Sequence, residues 1–533
     1  MFTGQPCGVY ISTAKFVESL TLPKINGEMK AGFRRLFRQK RGCLASMSIT
    51  LFTFYVMVFV CLRHVVNPPT VVYVLEPGFP IRRRTSTDFM SGSGKKSFLN
   101  STSLRGHRIP QRWPRALNWR RTETYNRRIR AISKTLPRCD GLISGNPNEQ
   151  TFAENFMAHF SQIVRTDHDC IRDTKNCTRY LQQRGFFLGA SQEEQDFPIA
   201  YSIVLYKDTH LLERLLRAIY RPHNAYCLHV DKKTPPATVQ AVKNIASCLQ
   251  NVFLASDRLD VQWGTFSVLE AELVCMKDLW RDKRWRYFIN LTGQEFPLKT
   301  NLQLVRILQA FNGSNNVDCT TNTRYSYRWY NNFGAPHNIT PLKGNVHAVL
   351  SRGFVDFVLH EPVARDLLDW VKFTDFPDET FFSTLNHNPH LGVPGSYVGP
   401  PDTDASSKPY LARFKNWGDN WYDGQGRTNF NWPCFGKRVR NICIFGVGDL
   451  PMLTSRKELF ANKFHSDFEP VALECLEEWL FNMTLEEYAG TVDFDVSFYE
   501  NLDIVKHRVL PRLHDSRNSR QERTLHPGVS SRR

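Results

Sequence analysis

From residue 201 to residue 293 the apolar positions switch back and forth between two periods. Short unbroken runs, "YSIVLY" (201–206), "AYCLHVD" (225–231), "NVFLAS" (251–256) and "RYFINLTG" (286–293), have the length of strands. Between them lie "THLLERLLRAIY", with leucines at 211, 212, 215 and 216, then "PATVQAVKNIASCL", which opens on proline, and "SVLEAELVCMKDLW" (267–280). Those spacings and that proline are helical signals. Strand and helix alternating over short connections predict an α/β fold, a mainly parallel sheet flanked by helices, with no internal repeat. Ligands of such sheets bind at the carboxyl ends of the strands, which is where "HVDKK" puts Asp231.

A different pattern precedes this region. "LASMSITLFTFYVMVFVCL" (44–62) is 19 residues without a charge, enough at about 1.5 Å per residue to cross the roughly 30 Å apolar layer of a bilayer. It starts too far in for a signal peptide and ends in Arg63 and His64 without a small-residue cleavage pattern, so a retained signal anchor is expected. Lys30, Arg34, Arg35, Arg38, Lys40 and Arg41 lie just before it. The positive-inside rule then predicts a cytoplasmic tail (1–43), a transmembrane anchor (44–62) and a lumenal remainder. Residues 63–138, rich in Pro, Gly, Ser and Arg, read as a stem, 139–514 as the folded lumenal domain, and 515–533 as a disordered tail.

Charge and cysteine content refine this picture. The net charge of +18 is concentrated in the tail before the span and in the stem, so it describes solvated segments and gives no reason to expect a nucleic-acid partner. Ten of the 13 cysteines fall in the lumenal part, without a CxxC pair, which favours disulfides over zinc or redox sites. Asn100, Asn176, Asn290, Asn312, Asn338 and Asn482 each head an N-x-S/T triplet, consistent as a group with a lumenal location.

The chain lacks the glycine-rich phosphate loops of dinucleotide and P-loop proteins and the G-x-S-x-G elbow of hydrolases. Asp-x-Asp triplets, which could hold a metal on a diphosphate, occur at Asp167/Asp169, Asp402/Asp404 and Asp493/Asp495, none of them ending a predicted strand. The alternative is neutralisation by cations, for which "CFGKRVRNICIFGVGDLPML" and "LFANKF" offer Lys437, Arg438, Arg440 and Lys463. Asp231 suits either a hydrogen bond to a sugar or base, or a cap on the turn before Pro235. In "TDFPDETFFSTL" (374–385), Asp375 is the expected helix cap, Pro377 suits the first turn and Asp378 the capping box, which leaves Glu379 unassigned.

At "FPIAYSIVLYKDTHLLERLLRAIYRPHNAYCLHVDKK", "INLTGQEFPLKTN", "FPDE" and "ICIFGVGDLPML...LFANKF" the chain resembles animal β-1,6-N-acetylglucosaminyltransferases that build core 2 and core 4 O-glycan branches and I-antigen branches. The resemblance covers roughly residues 139 to 490 and implies a type II Golgi membrane protein with a GT-A-type nucleotide-sugar transferase fold, inverting and without a divalent metal or other cofactor. It implies that Glu379 is the general base and that Arg440 and Lys463 stabilise the departing diphosphate. Asp231 matches a contact to the donor, UDP-GlcNAc. Asp318, Arg328 and Trp417 match contacts to an O-glycan acceptor carried on a glycoprotein. It also implies disulfides joining Cys139 to Cys475, Cys177 to Cys248, Cys227 to Cys275 and Cys434 to Cys443; Cys170 and Cys319 are left over, and whether they pair as a fifth bridge stays open. Departures fall on the acceptor side: Asp318 stands where these enzymes have Glu, "KGNVHAVLS" (343–351) replaces a smaller, Ser-rich stretch, and "WGDNWYDG" is two residues longer, so a contact from Trp421 or Tyr422 cannot be aligned. The expected function is core 2 branch formation. The alternatives are a related transferase with another acceptor or donor, peptide O-xylosyl transfer included, or a silent glycan-binding protein.

Overall fold

The computed structural model describes residues 136–159, 165–330, 332–402, 407–417 and 433–510. The expected cytoplasmic tail, membrane span, Asn100, Trp421, Tyr422, the 515–533 tail and all of the stem before residue 136 lie outside the described residues. Among the described residues no helix is long and apolar enough to cross a membrane.

The apolar runs form strands β1 (Ile199–Leu205), β2 (Ala225–Val230), β3 (Val252–Leu254) and β4 (Tyr287–Thr292). After the short β5 (Glu295–Pro297) come β6 (Asn316–Val317) and β7 (Ala348–Ser351). Six of these strands make one sheet in the order β3-β2-β1-β4-β7-β6. β1 pairs in parallel with both β2 and β4, and β2 with β3, while β7 runs antiparallel between β4 and β6.

Strands pleat with a period of two, so a sheet covered on both faces buries every residue and reads as an unbroken apolar run. Ile199, Tyr201 and Ile203 face one core with Leu212, Leu215 and Leu216 of the Thr209–Ile219 helix and Val242 and Ile245 of the Pro236–Ser247 helix. Ala200, Ala225 and Phe288 face the other, with Leu269 and Met276 of the Phe266–Leu279 helix and Phe381 of the Pro377–Asn386 helix. A third core joins Leu142, Phe296, Phe445 and Leu476 around the long Pro470–Tyr488 helix.

Cys139–Cys475, Cys177–Cys248, Cys227–Cys275 and Cys434–Cys443 are disulfides, whereas Cys170 and Cys319 are free. Whether Cys170 and Cys319 pair, left open by the sequence, is thereby answered: they do not. The Cys170 thiol is buried against the Glu213 carboxylate at 3.9 Å, and Cys319 lies beside Ser383 and Lys408; burial pushes each thiol up to about 12. Among the sequons, Asn176 caps the Cys177–Arg184 helix from an exposed position, and Asn312 and Asn338 are exposed with left-handed backbones. Asn482 is half-buried on the long helix. Asn290 is buried in β4: its amide donates to Glu272 and to the Val346 carbonyl and accepts from the Ala348 N–H, so it has no room for a glycan.

Candidate functional site

The chain leaves β1 towards β2 on one side and later returns to place β4 on the other, so the carboxyl end of β1 lies at a point where the winding of the sheet reverses. A crevice opens outside the strands at such a point. Asp231 lies there, bonded by its N–H to the Leu205 carbonyl at 2.9 Å. Its buried carboxylate accepts from the Lys233 N–H (2.8 Å), the Lys233 ammonium (3.2 Å) and the Val261 N–H (3.3 Å). The side chain thus fastens the loop ahead of Trp263 to the end of β2.

Across the sheet, Pro377–Asn386 forms a helix with proline in its first turn. The cap differs from expectation. Phe376, in the left-handed region at φ +52°, is the N-cap, and no side chain caps the helix. Asp375 is withdrawn from that position because its N–H is committed to the Arg328 carbonyl at 3.1 Å. Asp378 lies too early in the helix for a capping box and is buried instead. Burial, reinforced by the charge of Glu379, pushes its carboxyl up to about 7.

Glu379 is not left over. Its carboxylate accepts from the Arg328 guanidinium at 2.7 Å and lies 4.0 Å from the Lys343 ammonium, while its backbone carbonyl accepts from the Gly344 N–H at 2.7 Å. Arg328 is buried and stacks 4.6 Å from the Phe376 ring, so the guanidinium is fixed from two sides. Two cations beside the carboxylate, one of them hydrogen-bonded to it, fix the direction in which it points.

A second group of residues is basic. β8 (Lys437–Val439) and β9 (Ile442–Ile444) form a hairpin whose two-residue turn, Arg440 and Asn441, has φ +49° and +66°, which places Arg440 at an exposed tip. The Cys434–Cys443 bridge and the Asp449 carboxylate, which accepts from the Phe435, Gly436 and Gly446 N–H groups, fix the hairpin's base. Half-buried Trp417 pairs by its backbone with Ile442. Lys463 directly follows β10 (Phe460–Asn462), which pairs with β5. Its ammonium is pushed down by burial, held up in part by Glu295, and pushed down further by Lys207 and Arg440. Those three cations therefore share one neighbourhood.

Between the two groups runs a buried polar network that sequence reasoning missed. Glu295 pairs with Arg413 at 2.9 Å and with His347 at 3.2 Å. Lys415 donates to Asn345 at 2.9 Å, and burial lowers it to about 8 against the pull of Glu295 and Glu379. Lys415 was within sight, two residues before Trp417 in "RFKNW", and Lys343 opens "KGNVHAVLS"; only the fold sets both beside Glu379. Asp318, half-exposed after β6, lies beside Gly344 on the same side. The structure thus groups Glu379, Arg328 and Asp318 around Gly344, and Arg440, Lys463 and the backbone of Trp417 around the β9–β10 region, with Asp231 at the end of β2.

Five of the six Asp-x-Asp carboxylates have partners elsewhere, and Asp404 lies outside the described residues. Asp167 accepts from Thr209 and Thr238, Asp169 closes a capping box with Thr166, Asp402 accepts from the Thr321 N–H, Asp493 pairs with Arg306 and Asp495 accepts from Ser497. Among the described residues, the cysteine, histidine and acidic side chains close enough to offer three ligand atoms are Cys434, Cys443 and Asp449, and the two cysteines are bonded to each other.

The Core-2/I-Branching enzyme family model matches residues 199–417. The human β-1,3-galactosyl-O-glycosyl-glycoprotein β-1,6-N-acetylglucosaminyltransferase is 37% identical over 370 residues, covering 65% of this chain and 86% of that protein. A second human protein of that name, numbered 3, is 35% identical over 372 residues, covering 66% and 84%. A bovine herpesvirus 4 protein with the name of the first is likewise 35% identical over 372 residues. With this fold and these relatives, the chain belongs to the core-2/I-branching enzyme family of glycosyltransferases.

Proposed function

We propose that the protein is an inverting, metal-independent transferase with a GT-A-type fold that moves GlcNAc from UDP-GlcNAc in β-1,6 linkage onto the GalNAc of core 1 O-glycans. Glu379 takes the proton from the acceptor's C6 hydroxyl. The hydroxyl oxygen attacks the anomeric carbon from the face opposite UDP, the bond to the diphosphate oxygen breaks, and Arg440 and Lys463 receive the charge that develops there. Asp231 contacts the donor nucleotide, Asp318 and Arg328 contact the acceptor beside Glu379, and Trp417 contacts it from the side of the β8–β9 hairpin. The observation that carries the reading is the Glu379 carboxylate, bound by Arg328 at 2.7 Å and joined to the Lys463 neighbourhood through Lys415 and Glu295. The uncharged 44–62 stretch and the basic residues before it support a single-pass type II anchor in the Golgi membrane with the catalytic domain lumenal.

Lys343, 4.0 Å from Glu379 in a segment that departs from the branching enzymes, favours as second reading a relative with another acceptor. Incubation of the lumenal portion with UDP-GlcNAc, a core 1 acceptor and EDTA separates the possibilities. Product formed in EDTA is the expected result; activity lost and then restored by Mn²⁺ overturns the metal-free mechanism. Transfer to a different acceptor supports the second reading, and glycan binding without transfer to any acceptor supports a silent binding protein.

A further inference from the structure

Next to Glu379 the surface is aromatic. Tyr327, Tyr330, Phe333 and Phe373 are 47%, 74%, 95% and 77% exposed. Single exposed apolar residues are ordinary, but a contiguous group calls for a partner. Side-chain and backbone hydrogen bonds tie the segments that carry these four together. The Trp370 indole donates to the Phe333 carbonyl at 2.7 Å, and the Trp370 carbonyl accepts from the Asn332 amide (2.8 Å) and the Phe373 N–H (3.3 Å). The Tyr330 N–H reaches the Tyr327 carbonyl at 3.5 Å, and Ser326 donates to the Tyr330 hydroxyl at 2.7 Å.

The inner edge of the rim is the candidate base itself. Arg328 stacks 6.0 Å from the Tyr327 ring, binds Glu379, and through its carbonyl holds Asp375, two residues beyond Phe373. An acceptor sugar with its hydroxyl at Glu379 has this rim at its side. We propose that the rim docks the polypeptide of the acceptor glycoprotein, an extended Pro-, Ser- and Thr-rich segment that carries the sugar; this rests on the transferase reading above.

Three physical arguments select that occupant. Segments rich in Ser, Thr and Pro are the usual carriers of O-linked sugars, and their extended polyproline-type backbone docks on aromatic-lined surfaces at low entropic cost. Tyrosine and phenylalanine present large areas while immobilising few rotors. The rim is also nearly neutral: Lys372 beside Phe373 is paired with Asp369 at 2.7 Å, and Arg328 and Lys343 are turned towards Glu379. That suits an uncharged peptide better than an anionic membrane.

The test uses the full chain in detergent with two acceptors, a free core 1 disaccharide and the same disaccharide on a Pro/Ser/Thr peptide. In a combined Tyr330→Ser, Phe333→Ser and Phe373→Ser variant, kcat/KM for the glycopeptide falls about tenfold while that for the free disaccharide stays at the parent value, which also reports an intact fold. Calorimetric binding of the glycopeptide without donor weakens by a similar factor, and Glu379→Gln keeps that binding while losing transfer. Unchanged glycopeptide kinetics, an equal loss on both acceptors, a parent that binds glycopeptide no tighter than disaccharide, or a variant altered only in oligomeric state would each overturn the proposal. A parent that binds glycopeptide through the rim but transfers to neither acceptor leaves the rim standing and removes the transferase reading.

Discussion

A base that takes a proton from a sugar hydroxyl must be fixed in direction, and Arg328 fixes Glu379 from 51 residues away in sequence. Glu379→Gln keeps the shape and the Arg328 contact but has no basic oxygen. Its transfer rate should fall by about 10²- to 10⁴-fold while calorimetry still detects UDP binding; a near-normal rate would take Glu379 out of the base role. Its neighbour behaves differently. Burial, then the Glu379 charge, raises Asp378 to about 7, whereas in the unfolded chain it titrates near an ordinary value of about 3.9. Below both values each state is protonated. As pH rises the unfolded state releases its proton first, so native stability falls through the window from about 4 to about 7 and levels off above it. In Asp378→Asn that loss is absent, and the melting temperature of the variant minus that of the parent should widen across this window. A constant difference would show that Asp378 does not titrate as its burial demands. The sequence singled out both acids but misread their surroundings, because nothing local announces that a phenylalanine, Phe376, takes the left-handed cap or that a distant arginine claims Asp375 and Glu379.

Among the elements, those readable in advance were the ones whose pattern is imposed by burial. β1, β2 and β4 are covered on both faces, so their residues are mostly apolar, with His229 and Asn290 among the buried polar exceptions, and the helices between them carry apolar residues at helical spacing. The β8–β9 hairpin was legible only as a charge run: its turn uses Arg440 and Asn441 where glycine is the common signal, and the disulfide and the Asp449 carboxylate hold it in shape. Gly344 shows how tightly the base's helix is docked. A Cβ there would stand 2.3 Å from the Asp318 carbonyl oxygen and 2.6 Å from the Ser383 Cβ, and the Gly344 N–H holds the Glu379 carbonyl. Gly344→Ala should therefore push the Pro377–Asn386 helix away from the Asp318 strand end, costing about 1–3 kcal/mol in denaturant unfolding and lowering kcat. An alanine variant with parental stability and rate would mean that the helix has slack to give.

At the scale of the molecule, the tie between the two ends of the described domain was open to resemblance but not to spacing. Cys139–Cys475 joins residues 336 apart, linking the first described helix to the long Pro470–Tyr488 helix. In a chain-entropy account a loop that long restrains the unfolded state by on the order of 5 kcal/mol. A buried ionic cluster lies near the same junction. Burial alone would raise Glu213, but Arg184, Arg217 and Arg165 hold it below the usual carboxylate range, and Arg217 also binds Glu477 of the long helix. No local pattern marks such a cluster, since each of its members reads as an ordinary surface charge until the fold buries it.

Asn290 sets a race against time. An enzyme that adds sugar to Asn-x-Ser/Thr needs an accessible, extended chain, and in a lumenal setting the Asn290 triplet meets that description only until β4 takes its place in the sheet. A chain modified there can no longer make the bonds to Glu272, Val346 and Ala348, so folding quickly enough leaves a record in every successful molecule. Mass spectrometry of the folded lumenal portion should find Asn290 bare, and slowing the fold with a reductant during synthesis should raise its occupancy in the fraction the cell retains. A sugar on Asn290 in active protein would contradict the sheet as described.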